Sequence, residues 1–293
     1  MDRCDGVQRI RELLARHMPD YPIQNVSAMG EGLDHVAFDV NGELIVRVGR
    51  EEERDTRVRA VRREAGVLGV AARHSPLPVP RIVFADDEAG AIAYRKLPGE
   101  PLSHHDDLPT APLAGALGAF LDALHGLPTT LVQDLAEPED GPLTEWLIHS
   151  RRDLDAIRSA LDVERMRLME RFLGSTPPSE PRRRVLCHND LGAEHILVDP
   201  GSGVITGVID WGDATIADPA VDLALILRDL GPDALEVALM HYRHPFDQSD
   251  RERAMFYARC KLIEDIAYGL GDGDRRYAER ALVRFAWVFP GGE

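Results

Sequence analysis

Cys187-His188-Asn189-Asp190-Leu191-Gly192-Ala193-Glu194-His195-Ile196-Leu197-Val198-Asp199 runs through Pro200-Gly201-Ser202-Gly203 into Val204-Ile205-Thr206-Gly207-Val208-Ile209-Asp210-Trp211-Gly212. Apolar, β-branched residues flank a proline- and glycine-rich tetrapeptide, which is the pattern of two short strands around a tight turn. In an antiparallel hairpin the start of the first strand lies beside the end of the second. His195 and Asp210 are therefore expected to meet, with Asp190 on the loop just before them.

Taken singly, an Asp in a turn is usually a cap and a His beside apolar residues is usually packed. Jointly, the three are what phosphoryl transfer requires: a carboxylate to accept or orient the attacking hydroxyl, and ligands to hold magnesium on the nucleotide phosphates. Asp190 suits the first role, His195 and Asp210 the second.

Working outward, Val7, Ile10, Leu13 and Leu14 recur at helical spacing until Pro19. Residues 23–29 and 36–40 read as strands, Asn41-Gly42 as a hairpin turn, and 43–48 as the returning strand. Residues 53–72 form a long helix rich in Arg and Glu. Strands at 81–85 and 91–96 follow, then a Pro98-Gly99 break. Beyond it the periodicity becomes helical at 113–124, 143–173, 219–229, 233–242, 250–270 and 275–288, interrupted by the strand pair near 195–209. The fold class is α+β, with a small antiparallel-sheet lobe over residues 1–97, a mainly helical lobe over 98–293 and a ligand cleft between them.

Composition narrows the function classes. The 293 residues are 44% hydrophobic, enough for real cores in both lobes. Cys4, Cys187 and Cys260 form no close pair, so neither a disulfide framework nor a cysteine zinc site is indicated, and a reducing cytoplasm fits. No signal-peptide core and no membrane-length apolar run is present. A formal charge of −16 works against nucleic-acid and anionic-membrane partners and favours a cationic small molecule. Oligomeric state leaves no mark on the sequence.

The run His-Asn-Asp-Leu-Gly-Ala-Glu-His-Ile-Leu-Val-Asp, followed by Gly-Val-Ile-Asp-Trp-Gly-Asp-Ala, resembles the aminoglycoside phosphotransferase family, whose fold is protein-kinase-like. The wider family pattern is His-x-Asp-x-x-x-x-Asn. Here the last position is His195, as in the aminoglycoside 2''-phosphotransferase and macrolide kinase branches. The resemblance implies that Asp190 is the catalytic base, that His195 and Asp210 bind Mg2+, that Asp222 is a buried acid supporting the catalytic loop, and that His188 is a brace. ATP or GTP would be the phosphoryl donor.

It further implies a nucleotide site in the small lobe. Gly30 and Gly32, in Gly30-Glu31-Gly32-Leu33-Asp34-His35, would fold over the phosphates. A strand rather than a helix follows them and no Gly-x-x-x-x-Gly-Lys loop occurs, so dinucleotide and P-loop folds lose ground. Arg47 stands where the kinase fold usually has a phosphate-binding Lys, with Glu64 placed to pair with it; Arg keeps the charge but forks rather than points. Tyr94-Arg95-Lys96-Leu97 falls at the hinge, where Arg95 and Leu97 would hold the base.

For the acceptor, the resemblance places Asp213, Glu264 and Asp265 beside the cleft. Met255, Phe256, Leu262, Ile263, Ile266 and Leu270 share one helical stripe that Asp265 borders, whereas Glu264 points further away. The acidic run 134–140 either contributes to the pocket or is a solvated loop, and His104, His105 and Trp287 read as structural or surface residues. The expected activity is phosphorylation of an antibiotic hydroxyl, an aminoglycoside first. Beside it stand a macrolide kinase, to which Asp210-Trp211 points, a metabolic kinase for a choline- or homoserine-like compound, and a nucleotide-binding pseudoenzyme.

Overall fold

The computed structural model describes every residue except 1–2, 32–34, 51–52, 137, 272 and 292–293. Helix α1 (Arg3–His17) precedes an antiparallel sheet of β1 (Val26–Glu31), β2 (His35–Val40), β3 (Leu44–Gly49), β4 (Ile82–Asp86) and β5 (Ala91–Arg95), ordered β1-β2-β3-β5-β4. Helix α2 (Arg54–His74) joins β3 to β4. The two-residue period of β3 sorts its side chains between two environments. Leu44, Val46 and Val48 pack with Ile10, Leu13 and Leu14 of α1, while Ile45 joins Val61 of α2 on the opposite face. Arg47 shares that second face, and so points at α2 rather than into the α1 core.

Asn41 and Gly42 both adopt positive φ (57° and 72°), as the expected hairpin turn demands. Strand β1 starts at Val26 instead of residue 23 because Asn41 captures the preceding chain. Its Oδ1 accepts from the backbone N–H groups of Gln24 and Asn25, both at 2.9 Å, and its amide donates to the Pro22 carbonyl at 2.7 Å. A side chain thus does what a strand partner would have done.

The remainder runs β6 (Glu100–Pro101), α3 (Thr110–His125), α4 (Leu143–Ile157), α5 (Val163–Leu173), β7 (Val185–Cys187), β8 (Ile196–Asp199), β9 (Val204–Val208), β10 (Thr215–Ala217), α6 (Ala220–Leu230), α7 (Pro232–Met240), α8 (Gln248–Leu270) and α9 (Arg276–Val288). The stretch expected as one helix over 143–173 is two. Leu161 and Asp162 are extended, and the Asp162 carboxylate caps α5 by accepting from Arg165 N–H at 2.9 Å. The hairpin around 195–209 is β8 and β9, with Ile196 opposite Val208 and β6 added alongside. Strands β7 and β10 pair over three residues each, too short a span to show a period.

Helix α6 is the axis of the large core, buried from Ala220 to Asp229. Around it pack α3, α7, α8 and α9, with α4 against α8, and Val67, Leu68, Val70 and Ala71 from the C-terminal half of α2 join the same core. Helix α2 therefore belongs to both halves of the molecule. No described helix is long and apolar enough to cross a membrane.

Helices α3 and α7 approach closely at Gly118, where a Cβ would stand 2.1 Å from the Ala238 carbonyl oxygen. Gly118→Ala is expected to force the helices apart and cost about 2 kcal/mol, a typical overpacking penalty, despite the better helix propensity of alanine. Urea unfolding checks it: a lower midpoint with unchanged slope is the expected result.

Candidate active site

The loop from β7 to β8 carries Asp190 and His195, and a buried carboxylate holds it in shape. Asp222, on the first turn of α6, accepts from the backbone N–H groups of His188 (2.9 Å) and Asn189 (2.8 Å) and from His125 Nε2 at 3.0 Å. Arg183 donates to the Tyr242 hydroxyl (2.7 Å), which meets His125 Nδ1 at 2.9 Å, so a relay of donors ends on Asp222. Burial pushes the Asp222 carboxyl up, but its bond to His125 and the histidines and amides around it outweigh burial and hold it below the usual carboxylate range. Pinned at both amides, Asn189 keeps a φ of 68° that a side-chain-bearing residue rarely adopts.

His188 is fully buried and fixed at both nitrogens. Nε2 lies 3.0 Å from the Ile209 carbonyl, which can only accept, and Nδ1 takes the Asp190 N–H at 3.3 Å. These bonds select the neutral Nε2–H tautomer, and burial pushes its pKa down, so the ring braces the loop instead of carrying a proton.

Asp190, His195 and Asp210 meet at the mouth of this loop. His195 Nδ1 lies 3.6 Å from Asp190 Oδ2 and has no hydrogen-bond partner among the described residues, although the atom is buried. The Ile209 N–H donates to the His195 carbonyl at 2.9 Å, which brings Asp210 alongside. Asp210 has a φ of 62°, and Arg47 Nη2 sits 3.0 Å from its Oδ1. Burial raises the Asp210 carboxyl, but Arg47 and the three histidines His195, His35 and His188 prevail and hold it at about 2. The orphaned His195 nitrogen and the Asp210 carboxylate suit a hard divalent cation that keeps its other positions for phosphate oxygens, and the Asp190 carboxylate stands beside them.

Arg47 is the hub on the opposite side. Its Nη1 pairs with Glu64 at 2.7 Å, and Nη2 donates to His35 Nδ1 at 2.8 Å besides contacting Asp210. A guanidinium offers five donors in a fork, which is what three partners on a strand, a helix and a loop require. Arg63, the residue before Glu64, donates to the Gly212 carbonyl and ties α2 to the segment that carries Asp210.

These groups line one cleft of about 1830 Å³. Its walls differ in charge. Arg50, Arg57, Arg59 and Arg63 stand on the β3–α2 side, whereas Glu139, Glu145, Asp153 and Glu264 stand on the α4–α8 side. Of the residues singled out from the sequence, Arg47, Glu64, Asp190, His195, Asp210, Asp213, Glu264 and Asp265 line this cleft; Arg95 and Leu97 lie outside its lining. Gly30 pairs with Ala37 in β1, and Gly32 falls outside the described residues.

Glu264 and Asp265 face different ways. Glu264 is 54% exposed and pairs with Lys261, whereas Asp265 turns inward onto Arg228 at 2.8 Å. Arg228 is buried among Asp229, Asp265 and Glu194, and Asp229 also accepts the Ala193 N–H at 2.7 Å. A Cβ on Gly192 would stand 2.2 Å from Glu194 Oε1, so a side chain there would push the Glu194 carboxylate away from Arg228. Glu139 and Asp134 of the acidic run line the cleft. Trp211 is buried against His188 and Phe120 and does not reach it, and Trp287 donates to the Leu227 and Arg228 carbonyls.

Sequence reading missed the α4 wall, Arg63, Lys261 and the Arg228 cluster. A signal existed for the last. Arg228 and Asp229 are, with Asp222, the charges of a helix otherwise apolar all round, which must find partners inside the protein.

Residues 26–257 match the model of the phosphotransferase enzyme family. The chain is 31% identical over 214 residues to an aminoglycoside 3'-phosphotransferase of Streptomyces fradiae, covering 66% of this chain and 76% of that one. It is 32% identical over 200 residues to a viomycin phosphotransferase of Streptomyces vinaceus, covering 64% and 67%. Among solved structures, the GDP and kanamycin complex of an APH(2'') enzyme superposes with a TM-score of 0.74 at 23% identity, over 94% of this chain and 96% of that one. A macrolide 2'-phosphotransferase type I superposes with a TM-score of 0.65 at 22% identity, over 100% and 99%.

Replacing Asp222 by Asn leaves two backbone N–H groups facing an amide that can satisfy only one of them. A cost of about 3 kcal/mol at pH 7 is expected, as for breaking a buried charged pair. Because the folded carboxyl lies below its ordinary 3.8, its stabilisation is present above that pH and is lost as the pH falls through the folded value. The gap between parent and variant should therefore narrow in acid, as urea titrations at pH 7 and pH 3 will register.

Proposed function

This chain belongs to the phosphotransferase enzyme family, and we propose that it transfers the γ-phosphate of ATP or GTP to a hydroxyl of an antibiotic, an aminoglycoside first. The observation that carries this reading is the convergence of Asp190, His195 and Asp210 between a basic and an acidic wall of one cleft. Nucleotide phosphates belong against the arginines, and a cationic acceptor belongs against the carboxylates of α4 and α8. Residues 1–97 form the nucleotide-binding lobe and 98–293 the lobe that holds the catalytic loop and the acceptor.

Asp190 is the base, positioned by its N–H bond to His188 to receive the acceptor hydroxyl proton. His195 and Asp210 would hold Mg2+, which supplies charge neutralisation on the phosphates. Arg47 keeps one prong on Glu64 and turns the other from Asp210 to a phosphate oxygen. Gly30 and Gly32 cover the phosphates, and Arg95 and Leu97 flank the base. Asp213 and Glu264 meet acceptor amines. Asp265 acts through Arg228, which already holds it, and so shapes the acceptor wall from behind. Positioning and electrostatics supply most of the rate in this chemistry. A nucleotide donor and unpaired cysteines suit the cytoplasm.

A macrolide acceptor calls for a larger and more apolar wall than these carboxylates provide, and Trp211, buried in the core, contributes nothing to it. A choline- or homoserine-like metabolite would occupy little of so wide a cleft. The complete triad of groups argues against a pseudoenzyme.

Nucleotide consumption measured across a panel containing kanamycin, viomycin and a macrolide tests the reading. Turnover on an aminoglycoside is expected, with Asp190→Ala slower by about 10³-fold as a lost general base. Silence across the panel sinks the antibiotic acceptor, and undiminished turnover by the variant sinks the base assignment.

A further inference from the structure

A lysine sits on the acidic wall. Lys261 Nζ lies 3.1 Å from Glu264 Oε2 and 6.0 Å from the centroid of the Trp146 ring, with its side chain only 17% exposed. Trp146 is itself fixed: its indole N–H meets the Glu139 carboxylate, and Tyr257 packs edge-on at 4.9 Å. An ammonium set against an indole face and a carboxylate, largely out of water, is the arrangement by which proteins recognise amine ligands. Here the amine belongs to the chain.

An ordinary i,i+3 pair on a helix surface would leave the lysine head in water, where it gains little and loses nothing. Lys261 instead gives up hydration to turn into the cleft, beside Glu139, Asp153 and Asp190, all carboxylates that interact with its charge or with that of its neighbours. Burial lowers its proton affinity, but Glu264 and Asp190 more than restore it, so the group is an ammonium ion.

We propose that Trp146 and Glu264 form an ammonium subsite of the acceptor pocket and that Lys261 fills it until an acceptor amine displaces it, making Lys261 a determinant of acceptor specificity. The inference rests on the reading of this cleft as an antibiotic kinase site. An acceptor with an amine at this position must compete with a tethered one, whereas an acceptor presenting a hydroxyl or carbonyl oxygen there can accept a hydrogen bond from Lys261 and leave it in place. Glu264, being half exposed, tolerates the loss of its partner, so removing the lysine empties the subsite without burying an unpaired charge.

Calorimetric titration of the full chain with spermidine and with kanamycin tests this in the parent, Lys261→Met and Lys261→Arg. The Met variant should bind both probes about ten-fold tighter, in line with a cation–π contact and a partly buried ion pair released to the ligand. Lys261→Arg, which keeps a tethered cation, should behave as the parent, and adding Glu264→Gln to the Met variant should abolish the gain. Should Lys261→Met fail to fold, Lys261→Gln serves the same purpose. Equal or weaker binding of both probes by the uncharged variant overturns the subsite. A gain in spermidine affinity, with no aminoglycoside phosphorylated by the parent, keeps the subsite and removes the acceptor class. Kanamycin phosphorylation by the parent with no gain in either affinity does the reverse.

Discussion

Asp222 is a single buried carboxylate, and the geometry of the β7–β8 loop hangs on it. It supplies the acceptors for two consecutive backbone N–H groups that no strand could satisfy at that bend. With those amides fixed, Asn189 can hold its left-handed conformation, Asp190 can project into the cleft, and the His188 ring can bridge from Asp190 N–H to the Ile209 carbonyl. The arrangement is paid for inside the core by the Arg183, Tyr242 and His125 relay, which stabilises the negative charge without exposing it to water.

Much of this was legible in the sequence, and the reasons differ from residue to residue. The hairpin brought His195 beside Asp210 because antiparallel pairing is a local constraint that a short turn enforces. The pairing of Arg47 with Glu64 came from the resemblance to the kinase fold and not from periodicity; the structure adds the reason, since the alternation of β3 turns Arg47 toward α2. What stayed hidden depends on contacts between segments far apart. The α4 wall needs the packing of α4 against α8, and nothing in Leu143–Ile157 announces which face meets a ligand. Asp265 borders an apolar stripe, but that it points at Arg228 rather than at solvent depends on where α6 runs. The short β7–β10 pair is invisible because three residues carry no period.

The cleft also shows how net charge misleads when taken alone. An excess of acidic residues suggested a cationic partner, yet the same cleft carries an arginine-rich wall on the β3–α2 side. The charges are segregated instead of mixed, so a polyanion and a polycation can occupy neighbouring halves of one cavity. Placing them there brings the reacting oxygen and phosphorus together by electrostatics before any specific hydrogen bond forms.

Helix α2 carries Glu64 and Arg63 at its middle and buries Val67, Leu68, Val70 and Ala71 in the large core at its end. A helix anchored in this way behaves as a fixed post and not as a lever. Swinging it outward would expose core side chains worth about 1.5 to 3 kcal/mol each and would drag the Gly212 segment with it. The fold thus has no inexpensive off position at the Arg47–Glu64 pair.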